Sequence, residues 1–389
     1  MPDVLVVIPF YKRQDQLDRC LNALSKSTLP VETFVHDNTQ NNLGYTKACN
    51  LGLRRAMDER YRYALLLNQD CYVEPGAVEK LVAFMDGTPR CAISGPKQVS
   101  DEDPDQIIHG GCTVAFPAGM HLTGRVSRGD CAANAPMPWV NGACQMVRVE
   151  SLYDTGLMDE KFFLLCSDSD ICFTARARGW DVWYCADATV RHETGGTSQK
   201  VTSLTALRHS GTDQLHFRDK WLGSMDWELI KEVAPAPATV EPLLQQARQA
   251  FTGGQALQAE FLARRVLQAV PDHADANLLL GHIYLGSDMP AAAFAPLERA
   301  AKSATQSAPA AMKFGDALVM AGYAGEAAEQ YERALQLGHD DTALRNNLGV
   351  AYLRLDRRDA AIAQWRLVLS RQPAEPNARK NLADLGLSA

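Results

Sequence analysis

Two aspartates in the middle of the chain are the side chains whose position best suits acid–base chemistry. Asp168 and Asp170 come directly after the apolar run Phe162–Cys166, and the pattern that follows predicts a helix over residues 168–178. A carboxylate at the start of a helix, beside a buried sheet, can act as a general base. Taken alone, the segment favours a simpler role, because Ser167, Asp168 or Asp170 would cap such a helix.

The elements that could position these carboxylates begin at the N-terminus. Three apolar runs, Val4–Ile8, Val31–Val35 and Tyr63–Leu67, alternate with helical patterns over Leu17–Leu24 and Tyr45–Met57. This alternation predicts an open α/β sheet, in which ligands bind outside the carboxyl ends of the strands.

Polar residues stand at those strand ends. Tyr11 and Arg13 follow the first strand, Asp37 and Asn38 follow the second, and Asp70 follows the third. Any one acid there could serve only a turn. Polar groups at three successive strand ends favour a ligand site.

The middle of this α/β region has a different character. Gly95–Pro138 is rich in Gly, Pro, Asp and Ser, and it predicts an antiparallel excursion with short β pieces such as Cys112–Phe116. Two further short strands, near Asp181–Tyr184 and Thr189–Val190, lead to His192.

Length, charge and cysteine usage exclude several classes of protein. A chain of 389 residues is too long for one ordinary core, and the net charge of −7 argues against a general nucleic-acid binder. The apolar run near the N-terminus is too short for a signal peptide or membrane span, so a cytoplasmic protein is expected, with peripheral contact at the inner face of the membrane left open. Ten scattered cysteines without a C-x-x-C pair predict buried free thiols rather than a zinc site or disulfides.

Composition marks a domain boundary in the second half of the chain. Residues 233–240 are rich in Pro and Ala and predict a semi-rigid linker between a first domain, residues 1–232, and a second, residues 241–389. In the second domain Gly281, Gly315 and Gly349 recur every 34 residues. This period resembles that of tetratricopeptide repeats, and it implies about four repeats, a capping helix and a groove for a protein partner.

The first domain resembles the family-2 glycosyltransferases, which have the GT-A fold, and within them the rhamnosyltransferase-like branch. The segments that carry the resemblance occur in the family's order: Val6–Tyr11, Val35–Asn38, Asn42–Gly44 with Asn50, Leu65–Asp70, Asn141–Ala143 with Arg148, Gly156–Phe163, Asp168–Asp170 and Val190–His192. The resemblance implies an α/β GT-A domain followed by an all-α tetratricopeptide-repeat solenoid.

The resemblance also implies where a nucleotide-sugar donor binds. Tyr11 would stack on the base, and Asp37 would accept its imide N–H. Gly142 and Ala143 would let backbone approach the donor sugar, although a tight turn explains them equally well. The full set of implied donor-site residues is Pro9, Tyr11, Arg13, Asp37, Asn38, Gly44, Asn68, Asp70, Gly142 and Ala143.

A divalent ion, Mn²⁺ or Mg²⁺, is expected on the donor diphosphate, because the family uses one to neutralise the leaving group. The family's Asp-x-Asp motif is replaced here by Asn68-Gln69-Asp70, so Asp70 is left to bind the ion and Asn68 can only hydrogen-bond. His192 matches a histidine that is an additional ligand in many members.

The implied catalytic base is Asp168, which would deprotonate the acceptor and give inversion at the anomeric carbon. The family commonly has Glu before this residue, where Ser167 stands here. Asp170 is assigned to the acceptor side or to helix capping.

The expected function is therefore transfer of a sugar from dTDP-rhamnose or a UDP-sugar to a glycan, lipid-linked or protein acceptor, as in cell-surface polysaccharide biosynthesis. The alternative is a catalytically inactive transferase-like scaffold that acts through its repeats. Retention of Asp37, Asp70, Asp168 and His192 together favours the enzyme.

Overall fold

The computed structural model describes residues 2–113, 120–193, 204–221 and 240–387. Its chain divides into two compact units, a first unit of Met1–Lys220 and a second unit of Trp221–Ala389. The boundary predicted at residue 232 and residues 233–239 of the linker predicted over 233–240 lie outside the described residues, and the domain boundary stays a prediction. A helix begins at Val240.

A mixed sheet forms the centre of the first unit, with strands in the order β10-β12-β5-β11-β3-β1-β2. Short strands extend it, since β4 pairs with β12, β6 with β5 and β9 with β6, and β7 and β8 form a separate pair. The strands are β1 (Val4–Phe10), β2 (Val31–Asp37), β3 (Tyr63–Leu67), β4 (Cys71–Val73), β5 (Cys91–Ser100), β6 (Gln106–His109), β7 (Cys112–Thr113), β8 (Met120–His121), β9 (Gly124–Arg125), β10 (Ala135–Pro136), β11 (Cys144–Arg148) and β12 (Asp181–His192).

Helices cover both faces of this sheet. One face, which carries Val4 and Val6, packs against the first and third helices, and the other, which carries Leu5 and Val7, packs against the second, fourth and fifth. The described helices are α1 (Gln14–Leu24), α2 (Tyr45–Asp58), α3 (Ala77–Asp86), α4 (Val149–Thr155), α5 (Ser167–Ala177) and α6 (Leu204–Trp221), with a 3₁₀ turn at Val126–Arg128.

The central strands form because their sequences are apolar on both sides. Every residue of β3 is buried, and Val4–Ile8 of β1 are fully buried, as expected for parallel strands with helices on both faces. β1 pairs in parallel with β2 and β3. The predicted α/β fold of the GT-A class is confirmed.

The strand directions bring the candidate residues to one edge of the sheet. β11 runs antiparallel to both β3 and β5, and β12 runs parallel to β5. The carboxyl ends of β1, β2, β3 and β12 and the start of β11 therefore meet at a single edge, called here the carboxyl edge.

One sequence prediction differs from the structure in extent, and another is described only in part. The two short strands expected before His192 are one strand, β12, which pairs with β5 through an irregularity between Cys185 and Thr189. Because β5 runs on to Ser100, it provides a partner for both halves of β12. Of the β piece predicted at Cys112–Phe116, Cys112 and Thr113 form β7, and the remainder lies outside the described residues.

The second unit consists of paired helices. They are α7 (Val240–Thr252), α8 (Ala256–Ala269), α9 (Ala274–Gly286), α10 (Pro290–Ser303), α11 (Ala308–Met320), α12 (Ala324–Gln336), α13 (Thr342–Arg354), α14 (Arg358–Arg371) and α15 (Pro376–Asp384). Each periodic glycine lies against a large buried side chain of the next helix: Gly281 against Leu297, Gly315 against Tyr331 and Gly349 against Trp365. The predicted all-α repeat fold is confirmed.

All ten cysteines are free thiols, and Cys131 is the one that is not fully buried. In the described ranges, no helix combines the length and apolarity needed to cross a lipid bilayer.

Candidate active site

Asp168 is held at the start of α5 by two backbone amides. Its Oδ2 accepts a hydrogen bond from the Gly142 N–H at 2.8 Å, and its Oδ1 accepts one from the Ser169 N–H at 2.9 Å. The residue before the helix, Cys166, has a φ of 63°, a left-handed conformation that is costly for a residue with a side chain. The carboxylate of Asp168 is therefore fixed in orientation by the backbone around it.

The environment of Asp168 raises the affinity of its carboxylate for a proton. Burial raises the pKa of its carboxyl group, and the hydrogen bonds from Gly142 and Ser169 oppose this shift without cancelling it. A carboxylate with a raised pKa takes a proton more readily, provided that it is ionised at the working pH. The raised pKa is compatible with a general base, and that role of Asp168 stays a prediction.

Gly142 is needed for this contact. A Cβ atom at this position would lie 2.8 Å from Cβ of Asp168 and 3.2 Å from its Oδ2. Tyr45 fixes the other side of the glycine, since its hydroxyl donates to the Gly142 carbonyl at 2.8 Å. The loop predicted to approach the donor sugar therefore has a definite local role, which is to hold the candidate base.

Helix α6 fixes the segment that leads into α5. The carboxylate of Asp213 accepts hydrogen bonds from the amides of Phe163, Leu164 and Leu165, at 2.7 to 2.9 Å. Lys220 Nζ lies 2.8 Å from Oδ1 of the buried Asp170. The side chain of Cys166, the residue before α5, makes no cap hydrogen bond. Asp170 is thus an ion-pair partner of α6, and its proposed place on the acceptor side stays a prediction.

Asp70 and His192, far apart in sequence, meet at the carboxyl edge. Asp70 precedes β4, and His192 is the last residue of β12, directly opposite Cys71. Oδ1 of Asp70 lies 3.5 Å from Nε2 of His192, and the two side chains are 2% and 17% exposed. A carboxylate oxygen beside an imidazole nitrogen is a donor set that Mn²⁺ accepts, and Mg²⁺ less readily.

Gln69, between the two polar residues that the resemblance singled out, was missed by sequence reasoning. Its Oε1 accepts the Tyr11 N–H at 2.6 Å, and its Nε2 donates to the Tyr11 carbonyl at 3.2 Å and to Gln16 Oε1 at 2.9 Å. It therefore joins the Asn68–Asp70 turn to the end of β1. The available signal was its position inside a turn already assigned to the site.

The same turn is joined to the glycine loop through backbone atoms. The Asn68 N–H donates to the Ala143 carbonyl at 2.9 Å. The Asn141 side chain accepts hydrogen bonds from the Ala143 N–H and from Gln98 Nε2. The elements that carry Asp70 and Asp168 are thereby connected into one framework.

The predicted nucleotide-binding residues lie at the ends of β1 and β2. Asp37 is exposed, and hydrogen bonds from Thr39 hold the pKa of its carboxyl group below the usual range. Asn38 is buried, donates its N–H to the Phe10 carbonyl and bonds Gly44 through its side chain. Asp37 therefore offers an exposed acceptor at the end of β2, whereas both ends of the Asn38 amide are engaged by Gly44 and Leu43.

Three other predicted residues of this region differ in their surroundings. The Tyr11 ring is partly exposed and has Lys12 Nζ 4.7 Å from its centroid. Pro9 lies within β1 opposite His36. Arg13 forms an ion pair with Asp15 at 2.7 Å, so a role on the donor would require it to leave this partner.

Comparison with known proteins agrees with this architecture. Residues 38–212 match the family described as glycosyltransferase like family 2. Within these residues the chain is therefore of the family-2 glycosyltransferase type, and the paired helices of the second unit follow it.

Several individual proteins resemble the chain. An N-acetylglucosaminyl-diphospho-decaprenol L-rhamnosyltransferase of Mycobacterium tuberculosis is 24% identical over 288 residues, covering 60% of this chain and 92% of that protein. The dTDP-rhamnosyl transferase RfbF of Shigella flexneri is 25% identical over 169 residues, covering 43% and 55%. The crystal structure of MamA aligns with 36% of this chain and 85% of its own, at 24% identity and a TM-score of 0.33.

Proposed function

We propose that the chain is an inverting glycosyltransferase that moves a sugar, in the first place rhamnose from dTDP-rhamnose, to a hydroxyl group of a lipid-linked glycan. Asp168 acts as the general base, and Asp70 and His192 hold a divalent ion on the donor diphosphate. The observation that carries the proposal is the carboxylate of Asp168, whose pKa is raised by burial and whose orientation is set by the Gly142 amide.

The chemistry needs one base and one leaving-group stabiliser. Asp168 removes the proton of the acceptor hydroxyl as its oxygen attacks the anomeric carbon, and the nucleoside diphosphate leaves from the opposite face of the sugar, which inverts that carbon. A bound divalent ion supplies positive charge to the departing diphosphate. Asp70 and His192, 3.5 Å apart, are the side chains that would hold it.

The donor and acceptor are proposed from the relatives. Two of them are rhamnosyltransferases by name, and one of these acts on an N-acetylglucosaminyl-diphospho-lipid. A hexose from a UDP-sugar and a protein acceptor are the competing assignments. The helical repeats would then bind a protein partner that brings the enzyme to its acceptor, at the inner face of a membrane.

A direct assay tests the proposal. The full chain is incubated with Mn²⁺, an N-acetylglucosaminyl-diphospho-lipid and a panel of dTDP-, UDP- and GDP-sugars, and nucleotide release and glycan product are followed. We expect turnover with dTDP-rhamnose and a loss of roughly 10²–10⁴-fold in Asp168→Asn, because general-base catalysis is removed. Donor binding should remain in that variant.

Asp58→Asn is the matched control, since Asp58 is an exposed acid at the end of α2, and it should leave turnover unchanged. Full activity in Asp168→Asn would refute the role of the base. Turnover that survives EDTA unchanged would refute the metal assignment. Failure to bind any nucleotide sugar would favour the inactive scaffold.

A further inference from the structure

A second group of side chains with metal-binding chemistry lies on the antiparallel excursion. His109 ends β6, while Cys112 and His121 stand directly opposite each other in the β7–β8 pair. Residues that face each other across an antiparallel pair have neighbouring side chains. The topology therefore brings two imidazoles and one thiol into a cluster that has no place in the proposed transfer reaction.

The three ligand atoms are already close together. Nδ1 of His109 lies 2.7 Å from Nδ1 of His121, and the Cys112 Sγ lies 3.7 Å from the first nitrogen and 3.6 Å from the second. His109 and Cys112 are buried, whereas His121 is exposed. An ion could thus enter from solvent past His121 and reach two buried ligands.

These separations are close to those of a tetrahedral zinc site. With Zn–S of about 2.3 Å and Zn–N of about 2.05 Å, sulfur–nitrogen pairs lie about 3.6 Å apart and nitrogen–nitrogen pairs about 3.3 Å apart. The sulfur–nitrogen distances therefore fit as they stand, and the nitrogen–nitrogen distance has to widen by about 0.6 Å. His121, the exposed member of the three, is the ring with room to move.

The hydrogen bonds around His109 define the metal-free state. The Asn141 N–H donates to Nε2 of His109 at 3.0 Å, so the neutral ring carries its proton on Nδ1 and donates it to Nδ1 of His121. A ring that accepts at one nitrogen and donates at the other is the neutral form of imidazole. Neutral imidazoles are the form that binds metals.

Metal binding would change these protons in a defined way. The Cys112 thiol loses its proton to solvent and becomes a thiolate ligand. The His109 proton has to move from Nδ1 to Nε2, where it faces the Asn141 N–H, so that hydrogen bond is lost. Burial raises the pKa of the Cys112 thiol. Deprotonation of this thiol therefore costs free energy, which the positive charge of the bound metal has to offset.

We propose that His109, Cys112 and His121 form a binding site for Zn²⁺ or a similar thiophilic ion, with ligands different from those that would hold the diphosphate ion. Three protein ligands leave the fourth tetrahedral position open for water or another group. Trp139, buried with its ring centroid 5.4 Å from that of His121, packs beside the site.

Cobalt(II) titration of the full chain tests this site, because a cysteine thiolate bound to Co²⁺ gives a charge-transfer absorption that oxygen and imidazole ligands do not. We expect this band to saturate at one equivalent and to disappear when Zn²⁺ is added. Cys112→Ser should abolish it. His121→Gln, a change at an exposed ligand, should weaken Zn²⁺ binding at least tenfold, since losing even a hydrogen-bond partner of a ligand typically costs roughly 10- to 100-fold.

The controls separate this site from other thiols and from the diphosphate ion. Cys91→Ser changes a buried thiol at the start of β5, and Asp70→Asn removes a proposed ligand of the diphosphate ion; both should keep the band. Absence of the band in the native protein, or its persistence in a folded Cys112→Ser variant, would overturn the proposal. These outcomes do not depend on transferase activity.

Discussion

Close glycine contacts occur in both units, but they fix different things. In the first unit Gly142 lies against the Asp168 carboxylate, which is a group proposed to react. In the second unit Gly281, Gly315 and Gly349 lie against buried leucine, tyrosine and tryptophan side chains. The first contact orients a functional group, whereas the others bring two helices together. The same local feature therefore predicts a loss of activity in one unit and a loss of stability in the other.

Replacing Gly142 by alanine should have the larger effect. Its Cβ would lie 2.8 Å from Cβ of Asp168, so the loop or the carboxylate has to move. A displacement of this kind at a catalytic group can cost about 10²-fold in rate. We expect turnover per folded molecule to fall by roughly that factor, beyond any loss of thermal stability that the overlap causes.

Gly87→Ala is the control in the same unit, because a Cβ there meets only carbonyl oxygens at 3.6 Å, an ordinary contact. It should leave turnover unchanged. If Gly142→Ala retained full turnover, the contact between the loop and Asp168 would have no catalytic role.

Replacing Gly315 by alanine should act on stability instead. The new Cβ would lie 2.8 Å from Cε1 of Tyr331, a fully buried ring whose hydroxyl donates to Asp316. Overpacking of this kind costs about 1–3 kcal/mol. We expect thermal unfolding of the second unit at lower temperature, with unchanged donor turnover per folded molecule.

Gly325→Ala provides the matched comparison in the next helix, since its Cβ would meet nothing within 4 Å. That change should be neutral or stabilise by about 0.4–1 kcal/mol. If the two variants had equal stabilities, the helix pair would accommodate the Cβ at Gly315 without cost, and the close contact with Tyr331 would not limit stability.

The two units also differ in how much their sequences predict. In the second unit each glycine and its large partner lie within one pair of consecutive helices, so the 34-residue period alone indicates the contact. In the first unit Asp70 meets His192, and Asn141 meets His109, only because the order and direction of the strands bring them together. Neither contact leaves a local pattern.

The candidate site could be predicted only in part, because several of its contacts also depend on the order and direction of the strands. Strand ends marked the carboxyl edge, and the family resemblance assigned Asp70, Asp168 and His192. The side chains of Gln69 and Asp213 accept hydrogen bonds from backbone amides. Every residue except proline has such an amide, so the sequence does not indicate which one a side chain will bind. Cys112 was expected to be a buried free thiol, because the sequence has no C-x-x-C pair and only the β7–β8 pairing brings His121 opposite it.

The smallest effect is expected at the surface of the second unit, where Asp340 pairs with two arginines. Its oxygens lie 2.8 and 2.9 Å from Arg345 and 2.9 and 3.1 Å from Arg371. These contacts hold the pKa of Asp340 well below the usual range. Asp340 is one-third exposed, so solvent screens the pairs, and Asp340→Asn should destabilise by less than about 1 kcal/mol.

The pH dependence distinguishes this ion pair from a packing effect. A carboxyl group whose pKa is lower in the folded than in the unfolded protein stabilises the folded state at pH values above its unfolded pKa of about 3.9. This stabilisation is lost as the pH falls toward the folded-state pKa. Urea unfolding at pH 7 and pH 3 should therefore show a difference between wild type and Asp340→Asn that narrows at pH 3, whereas the deficit of Gly315→Ala should persist. Asp272→Asn, at another exposed acid of this unit, should match the wild type at both values. A deficit in Asp340→Asn that did not change with pH would mean that Asp340 acts by shape, as Gly315 does, and not by charge.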